Sequence, residues 1–330
     1  MFKKGLKILK ATVAVSSDRK SLLPSFPWPV EVKSLLTDFN KVEEIPYSSK
    51  ADGSITINDI PDKDPSYRLA GTKAAFKGPF VRLARRASDL RFSLWGNQGF
   101  LYRFTLFLLE KKHHIYSLHA CALCQLERNR LFIVAGGAGS GKTVYLLSGL
   151  EQGLSLFSTE TVQFKKEGCH FRWYMGSLVD NIRLGTLRHH FPRFLSAVLP
   201  SNSGNEWQKK MAVDLSSFQS REAALVDPEV IILFPRLEEG RADFVLNPVA
   251  GPRQAVKALF DNISEKLAST CILYDTLPLL SFDRPELAKA RLEASRELVR
   301  HKSVVLCATV LSSPRSCWGD IMQHEFWKRR

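Results

Sequence analysis

Apolar positions are most regular around a short glycine-rich stretch in the middle of the chain. Residues 114–125 and 131–135 form two apolar runs of strand length, separated by a polar turn at residues 127–130. Two such runs around a short turn predict a β-hairpin whose second strand enters the glycines directly. Residues 144–150 then place apolar side chains at helical spacing, which predicts a helix that ends near Gly153.

Further strands and helices are predicted on both sides of this region. Short apolar runs predict a strand pair at residues 154–157 and 161–164, followed by a strand at 171–174. Residues 230–234 and 244–246 are predicted to be neighbouring strands. Other predicted elements include helices at residues 98–112, 253–267 and 285–299 and a buried strand at 303–310. Together these elements predict a fold of the α/β (α+β) class.

The first 95 residues differ in pattern from the rest of the chain. Strand-like runs at residues 6–15 and 54–57 alternate with turn-rich stretches such as 61–65. This pattern is typical of a small α+β or mostly β domain. We therefore expect a small N-terminal domain at residues 1–95, followed by a larger domain at residues 96–330.

Composition narrows the class of protein without naming its function. Apolar residues make up 45% of the chain and charged residues 24%, as in ordinary soluble proteins. The longest apolar runs are far shorter than the ~20 residues that a spanning helix needs, so no membrane segment is expected. Six scattered cysteines, with no secretory signal before them, indicate reduced thiols in a cytoplasmic protein.

The formal net charge of +14 favours an anionic partner. A nucleotide, an acidic peptide, a nucleic acid and a membrane surface all fit this charge, and so does a basic surface that is merely solvated. Nucleic acid is not expected to be the partner, because the sequence shows no platform of stacking aromatics and no reader motif.

The glycine-rich stretch fits the pattern Gly-x₄-Gly-Lys-Thr in full, between a predicted strand and a predicted helix. Glycines let backbone N–H groups turn inward around an anion, and the positive end of the following helix adds to them. Lys142 is expected to reach the β- and γ-phosphates of ATP, and Thr143 to offer its hydroxyl to Mg²⁺. The expected nucleotide-binding residues are Gly136, Gly137, Ala138, Gly139, Ser140, Gly141, Lys142, Thr143 and Val144.

A phosphate loop of this kind works with an acid that holds Mg²⁺ or orients the nucleophile. Asp275 follows the apolar run 272–274, although an acid at a strand end can equally belong to a turn. Glu160 is closer in sequence, on the strand right after the loop helix. In a doubly wound sheet that strand lies next to the loop strand, so Glu160 could face the nucleotide. The alternative for Glu160 is a solvated turn acid.

The order of these motifs resembles a known family. The pair Leu118-His119, the hairpin, the loop and its helix, and Glu160 eighteen residues past Lys142 resemble the C-terminal domain of HPr kinase/phosphorylase and its relatives, including relatives found beside peptide-biosynthesis genes. Residues 113–165 carry the resemblance closely and residues 113–310 loosely. The resemblance implies a P-loop domain with a mixed sheet similar to that of phosphoenolpyruvate carboxykinase.

The resemblance also implies an activity. Relatives of this kind are ATP-dependent kinases that transfer the γ-phosphoryl group to a serine-type hydroxyl of a protein, peptide or small molecule. By this analogy His119 faces the phosphates from the strand beside the loop, and Lys142 acts in catalysis. Glu160 matches the second of two paired acids, which implies a role in catalysis and, with Thr143, in holding Mg²⁺. The analogy further implies a homo-oligomer.

One residue departs from the pattern of this family. The first acid of the pair, usually Asp, is Thr159 here, and a threonine cannot act as a base near neutral pH. Either Glu160 does the work of both acids, or activity is reduced or lost, unless Asp180 or Asp214 replaces the missing acid. A second hypothesis is a nucleotide-binding pseudokinase or ATP-gated scaffold without transfer activity. A third is a P-loop ATPase that uses Asp275.

Overall fold

The structure, a computed structural model, describes residues 1–24, 39–137, 139–195, 205–238, 244–311 and 317–323. Ala138 of the expected nucleotide-binding residues lies outside the described residues. The strands in chain order are β1 (Phe2–Ile8), β2 (Ala11–Ser17), β3 (Val42–Ile45), β4 (Gly53–Asp59), β5 (Ser66–Ala70), β6 (Lys73–Gly78), β7 (Tyr116–Gln125), β8 (Arg130–Ala135), β9 (Ser155–Ser158), β10 (Thr161–Glu167), β11 (His170–Tyr174), β12 (Val179–Arg183), β13 (Lys210–Asp214), β14 (Ala224–Val226), β15 (Glu229–Leu237), β16 (Val245–Pro248), β17 (Cys271–Leu273), β18 (Leu277–Leu279) and β19 (Val304–Leu311).

The helices are α1 (Phe80–Arg86), α2 (Phe100–His113), α3 (Lys142–Glu151), α4 (Leu184–His190), α5 (Pro252–Ala268), α6 (Pro285–Arg300) and α7 (Cys317–Gln323). The helices predicted from apolar periodicity are confirmed as α2, α5 and α6, and the predicted buried strand is confirmed as β19. The fold is thus a mixture of helices with mixed sheets, in agreement with the predicted α/β (α+β) class. Across the described residues, no helix is long and apolar enough to cross a membrane.

The chain divides into two compact units, each formed by two segments. The first unit consists of Met1–Tyr116 and Ser264–Ala290, and the second of Ser117–Ile263 and Arg291–Arg330. The first unit therefore extends beyond residue 95, because α2 belongs to it. The first residue of α2, Phe100, packs edge to face on Phe76 of β6, with ring centroids 4.7 Å apart. Sequence periodicity does not reveal this contact.

The first unit is built on a sheet of order β3-β1-β2-β4-β6-β5. The inner pairs β2–β4 and β4–β6 are parallel, whereas the outer pairs are antiparallel. The apolar run at 6–15 was predicted as one strand-like segment, and it is instead the hairpin β1–β2, in which Ile8 pairs with Ala11. Leu9 adopts a φ of 56° in the turn. Because Leu is not a typical residue for positive φ, no turn residue marks this position in the sequence.

The second unit is built on a sheet of order β14-β11-β10-β7-β8-β15-β19-β16, with β9 also paired to β7. The sheet is mixed: β8, β15 and β19 run parallel, while β7 and β16 run antiparallel to their partners. The prediction that residues 230–234 and 244–246 form neighbouring strands is wrong, because β19 lies between β15 and β16. The buried strand β15 takes a parallel partner on each side, and β16, which ends in Pro248, occupies the edge, where a missing N–H is tolerated.

The core of the second unit holds α3 firmly against the sheet. Gly149 of α3 sits so close to β7 that a Cβ atom there would lie 2.2 Å from Leu123 Cδ1. Trp318 of α7 covers the same helix, and its Nε1 atom donates a hydrogen bond of 2.8 Å to the carbonyl of Tyr145. The helix that follows the glycine loop is therefore fixed on two sides, which fixes the position of the loop.

Candidate phosphate-binding site

The predicted hairpin, loop and helix are confirmed around the glycines. β7 and β8 pair antiparallel, with Ala120 opposite Ala135, and the glycine loop connects the end of β8 to α3. The helix begins at Lys142 rather than at residue 144. Lys142 and Thr143 therefore lie in its first turn, where the unpaired N–H groups of a helix give a positive end.

The loop has the backbone that a phosphate-binding turn requires. Gly139 and Gly141 adopt φ values of 83° and 93°, which are unfavourable for residues with a Cβ atom. At Gly136 a Cβ atom would lie 2.6 Å from Ser140 Oγ and 2.9 Å from Ser140 Cβ, so a larger residue would displace the Ser140 side chain. Val144, expected among the binding residues, has its N–H bonded to the Gly141 carbonyl at 3.0 Å, within the first turn of the helix.

Lys142 lies across the mouth of the loop. Its Nζ atom donates hydrogen bonds of 2.7 Å to the Gly136 carbonyl and 3.0 Å to the Gly137 carbonyl. The same ammonium lies 3.3 Å from His119 Nε2. The thiol of Cys121, two residues further along β7, donates to the Lys142 carbonyl at 3.4 Å. The lysine is thus held where the loop, β7 and α3 meet.

His119 is buried on β7, with 4% of its surface exposed. Its Nε2 atom lies 3.0 Å from Glu160 Oε1, and its carbonyl accepts a hydrogen bond of 3.2 Å from the Gly136 N–H. Asn262 of α5 brackets the His119 backbone: its Oδ1 accepts from the His119 N–H at 2.9 Å, and its Nδ2 donates to the His119 carbonyl at 3.0 Å. Sequence analysis missed Asn262, because an asparagine in an amphipathic helix gives no signal of its own.

Glu160 reaches the site by a different route from the one expected of a doubly wound sheet. The strand before Glu160, β9, pairs with β7 and not with the loop strand β8, so the doubly wound arrangement is wrong for this sheet. Glu160 lies in the turn between β9 and β10, where its carbonyl accepts a hydrogen bond of 3.0 Å from the Ala120 N–H. Its side chain, 26% exposed, lies against His119.

Thr159 is buried and fixes the chain segment that leads into β12. Its backbone N–H donates to the Ser177 carbonyl at 2.9 Å. Its hydroxyl lies 2.8 Å from the Val179 carbonyl and 2.9 Å from Ser177 Oγ. With 2% exposure, Thr159 serves as a structural residue whose hydroxyl holds the residue immediately before Asp180.

Asp180 is the acid that the loop threonine contacts. Thr143 donates a hydrogen bond of 3.3 Å from its hydroxyl to Asp180 Oδ2, and Asp180 is 8% exposed. Burial, together with the charge of Glu160, raises the pKa of Asp180 to about 7. Hydrogen bonds from Thr143 and from the Asn181 N–H, and the charge of Lys142, oppose this rise. From the sequence, Asp180 was only one of two candidates to replace the missing acid. In the structure it is the one that contacts Thr143.

The other acids considered from sequence lie elsewhere. Asp214 is exposed at the end of β13, opposite Val179, and its Oδ1 accepts from the Ser216 N–H at 2.9 Å. Asp275 belongs to the first unit, in the turn of the β17–β18 hairpin with a φ of 60°. Its Oδ2 accepts from the Ser88 N–H at 2.8 Å. Asp214 therefore accepts a local hydrogen bond in its own turn, and Asp275 accepts one from a distant part of the first unit.

The site combines the glycine loop, Lys142 and Thr143 with two acids, Glu160 and Asp180. No group of three or more His, Cys, Asp or Glu residues in the described part of the chain is arranged to hold a metal ion by itself. A divalent cation would therefore need oxygens from a bound nucleotide in addition to those of the protein, as Mg²⁺ commonly does.

No protein-family model matches this chain, and no curated protein matches it either. Its function must therefore be argued from the residues around the loop.

Proposed function

We propose that this chain is an ATP-dependent, Mg²⁺-requiring phosphotransferase of the HPr kinase type, which transfers the γ-phosphoryl group to a serine-type hydroxyl of a protein, peptide or small molecule. The observation that carries the proposal is the hydrogen bond between Thr143 and Asp180, 3.3 Å long. It supplies an acid beside the loop, whereas the sequence carries Thr159 where the family pattern has its first acid.

Phosphate binding rests on the loop and the first turn of α3. The positive φ values of Gly139 and Gly141 suit a loop whose N–H groups turn toward an anion. Lys142 can exchange its bonds to the Gly136 and Gly137 carbonyls for phosphate oxygens, since a flexible ammonium has three donors to redistribute. A charge-assisted bond to phosphate is stronger than one to a neutral carbonyl, which favours this exchange.

The residues next to Thr143 also fit Mg²⁺. Asp180 is a buried acid whose pKa is raised to about 7 mainly by burial, so a nearby cation would stabilise its ionised form. Thr143 and Asp180 are the residues that would hold the ion, together with phosphate oxygens of the nucleotide. When bound, Mg²⁺ supplies positive charge that offsets the negative charge of the β- and γ-phosphates.

Glu160 has a different partner and a different proposed role. It is in contact with His119 and is partly exposed, so an incoming hydroxyl can reach its carboxylate. We assign Glu160 as the group that accepts the hydroxyl proton as the acceptor oxygen bonds to the γ-phosphorus. The bond between that phosphorus and its bridging oxygen breaks in the same transfer, and ADP leaves. Asp180 therefore takes the metal-binding role that the family analogy gave to Glu160.

A second candidate is a nucleotide-binding protein without transfer activity. The observation that favours it is the position of Glu160, whose Oε1 atom is engaged by His119 at 3.0 Å. An acid held in this way could stabilise the closed loop instead of activating a hydroxyl. The two candidates differ in whether a phosphoryl group leaves ATP.

The test uses ATP labelled in the γ-phosphate, Mg²⁺ and a panel of serine-containing peptides and small hydroxyl compounds. Phosphoserine or another phosphate ester is measured by mass spectrometry, and phosphate released to water serves as the default readout. Transfer that requires Mg²⁺ and disappears in Asp180→Asn supports the kinase. Binding of a fluorescent ATP analogue without transfer or release favours the second candidate. Absence of nucleotide binding would overturn both.

A further inference from the structure

A groove lies between helices α5 and α6 in the second unit. It encloses a cavity of about 730 Å³ that opens to solvent, a volume that accommodates a ligand or several side chains of a protein partner. Its lining comes from residues 252–260 on α5 and 292–300 on α6. These residues are separate from the glycine loop and from the acids around it, so the proposed kinase reaction leaves them without a role.

Cations border this groove on both helices. Arg253 and Lys257 stand one helical turn apart on α5, and Arg296 and Arg300 stand one turn apart on α6. All four side chains are exposed. No acidic residue occurs among the described residues that line the groove. The groove therefore carries one sign of charge on both of its sides, which favours an acidic ligand.

Two of these cations have acidic neighbours on their own helix. Lys257 pairs with Asp261, and Arg296 Nη1 lies 2.6 Å from Glu293 Oε1. Ion pairs between exposed side chains typically contribute less than about 1 kcal/mol. A carboxylate that a bound ligand places at the groove can therefore replace these partners at little cost.

The floor of the groove is apolar. Val256 and Phe260 on α5, and Leu292 and Val299 on α6, line it and are half-buried. Each helix already buries its inner face in the protein, as the fully buried Leu259 shows for α5. The groove is thus a second apolar row, which is left partly open to water between two rows of cations.

This arrangement matches an amphipathic helix better than it matches other anionic ligands. Residues one turn apart on a helix are about 6 Å apart, so glutamates on one helix can meet the cation rows while its apolar residues enter the groove. A lipid surface is flat and does not enter a recess between two helices. A nucleic acid would engage the cations through its phosphates and leave Val256, Leu292 and Val299 of the floor uncovered.

We propose that the groove between α5 and α6 is a docking site for an acidic amphipathic helical segment of a partner protein. Apolar side chains of the segment pack on Val256, Phe260, Leu292 and Val299, and its carboxylates pair with the cations on both sides. The site acts independently of the nucleotide chemistry, so the proposal stands or falls separately from the kinase activity.

The experiment uses a fluorescein-labelled model helix with leucines on one face and glutamates on the other, measured by fluorescence anisotropy against the full chain. Arg253→Glu with Arg300→Glu reverses two cations of the groove and is expected to weaken binding about tenfold or more. The matched control, Arg128→Glu with Arg221→Glu, makes the same change of charge at exposed positions elsewhere in the second unit. It is expected to change the affinity by less than about twofold.

Two further measurements distinguish docking of an amphipathic helix in the groove from binding by charge alone. A probe with serines in place of the leucines should bind much more weakly, because it cannot fill the apolar floor. Hydrogen exchange should show added protection at residues 252–260 and 292–300 when the leucine probe is bound. Equal affinity of the two double variants, equal affinity of the two probes, or no binding by the wild type would overturn the proposal. Binding to phosphatidylserine vesicles that is lost only in the groove variant, without binding of the helix, would assign the groove to membranes instead.

Discussion

Thr143, in the first turn of α3, donates a hydrogen bond of 3.3 Å from its hydroxyl to the carboxylate of Asp180 on β12. The two residues are 37 positions apart, and Thr159 joins them indirectly by holding the Val179 carbonyl with its own hydroxyl. The fold thus brings an acid, Asp180, to Thr143 although position 159 carries a threonine. Threonine at that position does not by itself argue against catalysis.

Asp180→Asn is expected to abolish most phosphoryl transfer while nucleotide binding persists. An amide cannot supply the negative charge that we assign to the metal ligand, so the rate should fall roughly a hundredfold or more. The measurement is release or transfer of labelled γ-phosphate with saturating ATP and Mg²⁺. Asp214→Asn is the control, because Asp214 is exposed and caps Ser216. An Asp180→Asn protein with normal turnover would remove Asp180 from the mechanism.

Asp180 should also make the stability of the nucleotide-free protein depend on pH. The pKa of this carboxyl is raised from 3.8 to about 7, mainly by burial. A raised pKa means that the folded state holds the proton more tightly, so the contribution to stability is complete below the unfolded pKa and is lost as pH rises toward 7. The free energy of unfolding of Asp180→Asn minus that of the wild type should therefore increase by about 1–3 kcal/mol between about pH 5 and about pH 8.

Urea unfolding with a chelator and without nucleotide measures this difference. Asp214→Asn provides the matched control, since it removes a carboxylate from an exposed position on the neighbouring strand β13. A pH dependence that is the same in wild type and Asp180→Asn would show that Asp180 is ionised at an ordinary pH in the folded chain.

Thr159→Asp is expected to lower both stability and transfer. From sequence alone, restoring the acid of the family pattern should raise activity if the site had lost it. In the structure, a carboxylate at this buried position would face the Val179 carbonyl, which the threonine hydroxyl now contacts at 2.8 Å. Two acceptor oxygens that face each other in this way cost about 1–3 kcal/mol. The repulsion would displace the segment that contains Val179, and Asp180 would move with it.

Thr159→Ser retains the hydroxyl and is the control for this substitution. It should keep transfer close to wild type and lose little stability, because the contacts with Val179 and Ser177 survive. Radiolabel transfer and urea unfolding of both variants test the pair. Increased transfer in Thr159→Asp would support a kinase that has lost its acid and would contradict the structural role of Thr159.

The local motifs of this site were predictable from sequence, whereas the distant contacts were not. The hairpin, the glycine loop and α3 follow from neighbouring residues, and in the structure they bring Lys142 Nζ within 3.3 Å of His119 Nε2. Asn262 lies 143 positions from His119, and its bracketing of the backbone depends on how α5 packs on β7. No periodicity or spacing encodes such a pairing, and the same holds for the arrival of Asp180 at Thr143.

Sheet order shows the same limit. Strand propensity identified the segments of β15, β16 and β19, but not that β19 inserts between the other two. Likewise β9 follows α3 in sequence and pairs with β7, so Glu160 reaches His119 from a side that a doubly wound order would not give. Pairing order depends on the connections between elements and on which strands can be buried on both sides.

Asn262→Ala is expected to destabilise the second unit and to increase local opening of β7, the strand that contains His119. The substitution leaves the buried N–H and carbonyl of His119 without the bonds of 2.9 Å and 3.0 Å that Asn262 provides. Although the Gly136 N–H still donates to that carbonyl at 3.2 Å, the loss of these two buried hydrogen bonds is expected to cost about 1–3 kcal/mol. Urea unfolding measures the loss of stability, and hydrogen exchange at residues 117–121 measures the local opening of β7. Asn247→Ala, at an exposed position on β16, should change neither quantity.

Gly176→Ala tests whether the path of the chain into β12 sets the position of Asp180. A Cβ atom at Gly176 would lie 2.1 Å from the Thr161 carbonyl and 2.3 Å from Ser158 Oγ, so the segment must shift. We expect transfer to fall more than nucleotide binding, because the loop itself is untouched, and the free energy of unfolding to drop by about 1–3 kcal/mol. Gly319→Ala in α7 adds the same methyl group where nothing lies within 4 Å. That control should be neutral or slightly stabilising, since Ala favours a helix, and equal losses of transfer in both variants would argue against a positioning role for this segment.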